Sequence, residues 1–446
     1  MSLATPEKIQ KLQESLYAKA KQEPECRFHF LYDKIHRADV LAHAWMLVKK
    51  NRGAAGVDGQ RCEDIEAQGV ELWLQGLEEE LRSKTYKPQP VRRVMIPKAG
   101  GTGERPLGIP TIRDRVAQTA AKLILEPIFE ADFDDAAHGY RPNRSAVDAV
   151  QEVHEALQAG HLEVVDADLS KYFDTIPHVE LMKCLMRRIS DGNVLKLIKM
   201  WLKAPVAERG DRGGWRMSGG KKSKSGTPQG GVISPLLANI YMHRYIKAFR
   251  KHGLEERFGA ILVNYADDFV VLCRHNARQA LDVTRTWMTR IGLTINETKT
   301  HVRDARTEMF TFLGYEFGKM YSPRTGGAYY GARPSKKSVT RLREKLRAVL
   351  HRGNQQPWPD IVKDLNDILR GWANYFRYGT VSGVRKAIDA YVCDRVRAFL
   401  GRRHKVRRRG GMKRFAHRAV HTTLGILAVS TAPTRKPGRE TCPRAG

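Results

Sequence analysis

Two kinds of hydrophobic spacing divide the chain. Up to about residue 85 the apolar positions recur at helical intervals, as in ADVLAHAWMLVKK at 38–50 and VELWLQGLEEELRSK at 70–84, with the Gly-rich loop NRGAAGVDG at 51–59 between them. VRRVMIPK at 91–98 then reads as a strand, followed by the loop AGGTGERPLGIP at 99–110 and a helix through RDRVAQTAAKLILEPIFEA. From there to about residue 318, short apolar strands alternate with amphipathic helices. After residue 333 the spacing turns helical again. SVTRLREKLRAVL, IVKDLNDILRGWANYFRYG and VRKAIDAYVCDRVRAFLGRR predict three helices, with a Pro-Trp-Pro loop at 357–359 between the first two. The composition of 410–446, basic and then rich in Thr, Pro and Gly, predicts a disordered tail. The pattern as a whole is α+β without an internal repeat, and 446 residues are too many for one compact core, so two to four domains are expected.

Charge narrows the partner. Lys plus Arg number 78 against 48 Asp plus Glu, a net +30 that suits a polyanion, with nucleic acid the leading candidate. Half of that excess lies between Arg333 and Arg409, where 21 cations face 6 anions. No apolar run reaches the length of a membrane span and the first residues lack a signal peptide's apolar centre, so a cytoplasmic protein with no membrane partner is expected. The six cysteines are scattered without a C-x-x-C pair, which argues against a disulfide framework and a structural zinc site.

Two segments carry candidate chemistry. In ILVNYADDFVVLC at 261–273, Asp267 and Asp268 interrupt an apolar, strand-forming run, where ionised carboxylates persist only if paired or metal-bound. Taken alone, two solvated Asp residues in a hairpin turn would look the same. In LEVVDADLSKYFDTIPH at 162–178 a strand ends on Asp168, with Asp166 on the same side because side chains repeat every two residues. Alone, such an Asp is usually a helix cap. Together, a strand-end Asp about 100 residues before an Asp-Asp hairpin matches two metal ions bridged by carboxylates on adjacent strands.

Tyr265-Ala266-Asp267-Asp268 resembles the Y-x-D-D signature of reverse transcriptases, and Asp168 to Phe173 resembles that family's first catalytic motif. SGTPQGGVISPLLANIYM at 225–242 is similar to its P-Q-G motif and following helix. The resemblance implies a right-hand polymerase that copies RNA into DNA on two Mg2+ ions, with Mn2+ able to substitute, held by Asp168, Asp267 and Asp268. It implies nucleotide contacts from Lys98, Arg105, Gln229 and Lys299, and a ring at Phe173 that blocks a ribose 2′-hydroxyl. The implied partners are an RNA template, a DNA primer and deoxynucleoside triphosphates. GYRPNRS at 139–145 resembles a fingers motif, which implies template or structural contacts, with Arg141 and Arg144 as expected RNA contacts, while GLTINETKT at 292–300 and FLGYEF at 312–317 resemble later palm segments.

GVDG at 56–59, RPLGIP at 105–110 and GWANYFR at 371–377 within a basic helical region are similar to bacterial group II intron-encoded proteins over about residues 30 to 410. That branch implies a helical extension at 1–85, fingers at 86–160, a palm at 161–320 interleaved with some fingers segments, and an α-helical thumb or maturase domain at 333–409 that binds intron RNA and assists its splicing. Arg370, Trp372, Tyr375, Arg377, Arg402, Arg403 and Lys405 are the expected RNA contacts, although at least two of Trp372, Tyr375 and Phe376 are expected in the thumb core. A homodimer is compatible with this reading. His404, His417, His421 and Cys442 do not make the paired Cys and His set of an endonuclease, so mobility by priming from nascent DNA is expected. A splicing cofactor that acts mainly by binding RNA, and a domesticated enzyme of DNA repair or antiphage defence, are the competing functions; Ala266 favours the mobile-intron branch.

Overall fold

The computed structural model describes residues 3–97, 103–210, 214–406 and 415–434. Its strands are β1 (Val91–Pro97), β2 (Glu104–Ile109), β3 (Glu163–Asp168), β4 (Pro205–Arg209), β5 (Trp215–Gly219), β6 (Ala260–Tyr265), β7 (Asp268–Cys273), β8 (His301–Asp304), β9 (Phe310–Phe312), β10 (Tyr315–Tyr321) and β11 (Ala328–Pro334). They form three sheets in the orders β2-β1-β4-β5, β6-β7-β3-β8 and β11-β10-β9. Every pairing is antiparallel except β1 with β4.

The β6-β7-β3-β8 sheet has a core on each face. Val165, Ala167, Phe269 and Val271 point into one, formed with the helices Ile112–Glu130, Ser234–Lys251 and Ala277–Arg290. Val164, Val263, Val270 and Leu272 point into the other, formed with Ala146–Gln158 and the helices after residue 335. A strand buried on both faces reads as an unbroken apolar run, which is why ILV and FVVLC flank the two Asp residues. Val164, Val165, Val270, Val271 and Leu272 are all 0% exposed. At roughly 1.5–3 kcal/mol for each buried aliphatic side chain, they outweigh the cost of gathering like charges at the sheet's end.

The helices predicted after residue 333 are Lys336–Val349, Trp358–Tyr375 and Ser382–Arg403. The expected Pro-Trp-Pro loop is shorter than predicted, because Trp358 and Pro359 already form the first helical turn, where proline's missing N–H is no loss.

The expectation of a disordered tail from residue 410 is corrected for 415–434. This segment packs on the last two long helices, burying Phe415, Val420, Ile426 and Val429. Arg385, 1% exposed, donates to the carbonyls of Ala373, Phe376, Ala432 and Pro433, and Asp389 accepts from the amides of Val429 and Ser430. Leu424, Leu427 and Ala432 pack partly buried against the same core, and polar partners on the helices satisfy part of the segment's backbone.

Candidate active site

The β6–β7 connection is a two-residue turn, Ala266-Asp267, closed by the Tyr265–Asp268 pair. Ala266 sits at φ 61, a left-handed conformation that glycine usually takes, and Asn264 Nδ2 holds its carbonyl at 2.9 Å. The β3–β7 register sets Asp168 directly opposite Asp268. Directly opposed residues share a face, with Cβ atoms about 4.5–5.5 Å apart, so the two carboxylates stand side by side with Asp267 at the turn beyond them.

The electrostatics follow from this placement. Asp268 keeps an exposed edge, yet its pKa is pushed up to about 7, first by burial of its surroundings and then by the charges of Asp267, Asp168 and Asp166, with Lys299 opposing. Asp166, on the same face and paired with Val270 and His301, rises to about 6 through burial, against the pull of Arg303 and His301. Asp168 is held from the segment after the sheet. Lys299 Nζ lies 3.0 Å from its Oδ2 and Asn296 Nδ2 donates to its Oδ1 at 3.3 Å, while the Asn296 amide donates to its carbonyl at 2.8 Å.

The donor set suits a hard divalent cation. Three carboxylates on adjacent strands offer only oxygen ligands, and the mutual repulsion that raises Asp268 is what a dication would relieve. Among the described residues no three His, Cys, Asp or Glu side chains are already drawn into a closed cage, since Asp168 is turned toward Lys299 and Asn296. The fit is thus one of donor chemistry and strand placement.

Asp168 and Asp267 open onto a cleft of about 920 Å³ that Arg105, Phe173, Gln229 and Lys299 also line. Four of the five nucleotide-contact residues expected from sequence are therefore gathered at one cavity; Lys98 lies outside the described residues. Gln229 Oε1 accepts from Arg105 Nε at 3.0 Å, joining the P-Q-G loop to β2. The loop can come that close because Gly230, at φ +106, has no Cβ; one built there would lie 2.3 Å from the Gly108 carbonyl oxygen. The Thr227 amide donates to the Phe173 carbonyl at 2.7 Å, fixing the backbone beneath a ring that is 5% exposed.

The expected RNA contacts divide. Arg141 is corrected to a structural residue: it is 8% exposed, pairs with Glu130 at 2.6 Å, donates to the carbonyls of Asp134 and Ala137, and lies over the Phe133 ring. Four of its five N–H donors are engaged and its side chain is buried, which leaves little of it for a phosphate to reach. Arg144 is half-buried and pairs with Asp135. Arg370, Arg377, Arg402, Arg403 and Lys405 are exposed, with Arg370 3.2 Å from Asp367 and Arg403 donating to the Gln356 carbonyl. Trp372 and Phe376 are buried in the thumb-side core, whereas Tyr375 is 38% exposed. Sequence reasoning missed Asn296. Its only signal was its place in GLTINETKT, where Lys299 drew attention as the charged residue.

A carboxylate cluster at the end of a doubly buried antiparallel sheet, facing a cation-lined cleft and followed by a helical domain, defines a right-hand nucleic-acid polymerase. Residues 96–317 match the family model described as reverse transcriptase (RNA-dependent DNA polymerase), and residues 339–416 match that of the group II intron, maturase-specific domain. The chain is 34% identical over 347 residues to Protein YkfC of Escherichia coli K12, covering 69% of this chain and 87% of that protein. It is 37% identical over 222 residues to the group II intron-encoded protein LtrA of Lactococcus lactis subsp. cremoris, covering 49% of this chain and 35% of LtrA. An uncharacterized 91 kDa protein in a cob intron of Schizosaccharomyces pombe matches at 26% over 418 residues, 78% of this chain and 50% of that protein. The chain belongs to the group II intron reverse transcriptase and maturase family, with an RNA-dependent DNA polymerase domain ahead of a maturase-specific one. The chain spans about a third of LtrA and half of the S. pombe protein. Among the described residues no helix is long and apolar enough to cross a membrane.

Proposed function

We propose that this chain copies RNA into DNA with magnesium and that its basic helical domain binds intron RNA to assist splicing and mobility. The observation that carries the polymerase reading is the direct opposition of Asp168 and Asp268 across β3 and β7, with Asp267 at the adjoining turn. Asp168, Asp267 and Asp268 are the residues to hold the metal. When bound, two Mg2+ ions, or Mn2+ in their place, supply Lewis acidity for the attacking primer oxygen and the departing pyrophosphate.

The remaining roles belong to the chain itself. Arg105 and Lys299 bring cations to the triphosphate, Gln229 offers a hydrogen bond from the P-Q-G loop, and Phe173 blocks a 2′-hydroxyl. The sheet β2-β1-β4-β5 serves as fingers, the sheet β6-β7-β3-β8 as palm, and the helices from Lys336 as thumb. Arg144, Arg370, Arg377, Arg402, Arg403 and Lys405 contact RNA, chiefly through its phosphates, so affinity falls as salt rises.

Purified protein given an RNA template, an annealed DNA primer and the four deoxynucleotides should make full-length DNA with Mg2+ or Mn2+ and none with chelator. An RNA transcribed from the DNA flanking the gene should bind the protein and splice faster in its presence. Absence of metal-dependent extension overturns the polymerase half, and failure of the flanking RNA to bind overturns the intron half.

A further inference from the structure

The ring of Phe173 has two aromatic neighbours of different kinds. Tyr172, 2% exposed, meets it edge-on at 5.6 Å, and its hydroxyl is tied to the Ala238 carbonyl at 2.6 Å, so it belongs to the core beneath. Tyr140 meets it edge-on at 6.3 Å with ring planes at 76°, and is 45% exposed. Of the two, only Tyr140 reaches Phe173 from the solvent side.

The structure holds Tyr140 in place at a conformational cost. Its φ is 59, a left-handed value that bulky residues avoid and that persists only where the surroundings over-determine it. Those surroundings are the metal-site hairpin itself. Ala137 bridges to Asn264 in β6, the His138 amide donates to the Asn264 carbonyl at 2.8 Å, and the Asn264 amide donates to the Ala136 carbonyl at 2.7 Å. Gly139 lies so close to the turn that a Cβ would sit 2.4 Å from the Ala266 nitrogen, and Asn239 Nδ2 holds its carbonyl at 2.7 Å. Segment 136–140 is thus stitched to the strand and turn that present Asp267 and Asp268.

We infer that Tyr140 is a specificity-determining positioning residue, whose ring pins Phe173 against the sugar of the incoming nucleotide and so strengthens the choice of deoxyribose over ribose. Without that edge contact Phe173 has a free side into which its ring can swing, and a 2′-hydroxyl gains room. The ring does this by shape and needs no hydroxyl. The inference rests on the reading of Phe173 as the residue that blocks the 2′-hydroxyl.

The test compares kcat/KM for one deoxynucleotide and the matching ribonucleotide in single-nucleotide extension by the full chain. Tyr140→Asn removes the ring while keeping a residue type that accepts positive φ, so backbone strain does not rise; Tyr140→Phe keeps the ring. Tyr140→Asn is expected to lose roughly 3- to 10-fold in deoxy-over-ribo selectivity, the range for one aromatic edge contact, mainly through faster use of ribonucleotide. Tyr140→Phe should retain wild-type selectivity. Phe173→Ala should lose more, and adding Tyr140→Asn to it should change selectivity no further, because the two residues act through one ring. Should Tyr140→Asn extend too poorly to measure, Tyr140→His, which keeps a smaller ring, must give a selectivity between those of Tyr140→Phe and Phe173→Ala. Unchanged selectivity in Tyr140→Asn, or in Tyr140→His where that variant is needed, beside a loss in Phe173→Ala overturns the role of Tyr140 and leaves the Phe173 reading standing. Unchanged selectivity in Phe173→Ala overturns both.

Discussion

Replacing Asn296 with Ala tests how Asp168 is oriented. The side-chain amide donates to Asp168 Oδ1 at 3.3 Å, while Lys299 pairs with Oδ2 at 3.0 Å from the other side. Asn296→Ala removes the first contact and leaves the second, along with the backbone bond from the Asn296 amide to the Asp168 carbonyl. The carboxylate is then held through its side chain by Lys299 alone and is free to rotate. A hydrogen bond to an ionised carboxylate contributes about 1.5–3 kcal/mol, and this long one belongs at the low end. About 1.5 kcal/mol is roughly tenfold in rate if it is felt in the transition state. Steady-state extension across a magnesium titration is therefore expected to show about a tenfold lower kcat or a comparably higher half-saturating magnesium concentration, with KM for primer-template unchanged. Asn296→Ser, which keeps a donor, should recover part of the loss. A kcat and a magnesium half-saturation both within twofold of wild type in Asn296→Ala would show that Asn296 does not orient Asp168.

Other consequences are open to measurement. Arg385→Met leaves four carbonyl acceptors without their shared charged donor; at about 1.5–3 kcal/mol for a hydrogen bond to a charged group, a loss of at least about 3 kcal/mol follows, and limited proteolysis should cut 415–434 in the variant and spare it in wild type. His243 has its pKa lowered to about 4, first by burial and next by Lys247, with Asp134 opposing. Its folded value lies below the unfolded one of about 6.5, so the stability it confers is full above pH 6.5 and is lost as pH falls toward 4, by up to roughly 3 kcal/mol. Denaturant midpoints measured from pH 7 to 4 should show that slope, and His243→Phe should flatten it.

The parts legible in the sequence were those written in local pattern. The sheet's double burial shows in the unbroken apolar runs on both sides of Asp267 and Asp268, and β3 ends on Asp168 as its alternation predicted. The three helices after residue 335 were legible because helical spacing persists for many turns. What escaped depends on partners distant in the chain. Arg141 reads as a surface cation until Glu130 and two carbonyls enclose it, and Arg385 reads the same way until residues 432 and 433 return to it. Asn296 is an ordinary polar residue whose meaning lies 128 positions away. The order of segment 415–434 comes partly from helix side chains that cap its backbone, Asp389 above all, and the segment's own composition does not contain them.

Asp168, Asp267 and Asp268 are proposed as the metal-binding centre of RNA-templated DNA synthesis. The measurement that bears on it most directly is single-turnover extension of a DNA primer on RNA by Asp168→Asn, Asp267→Asn and Asp268→Asn, each nearly isosteric and each removing one charge. Primer-template affinity is measured beside it. All three should lose roughly a hundred- to a thousandfold or more in rate, the scale of electrostatic preorganisation at a reacting centre, while affinity stays within a few fold. Extension near the wild-type rate by Asp168→Asn, Asp267→Asn or Asp268→Asn would contradict that assignment.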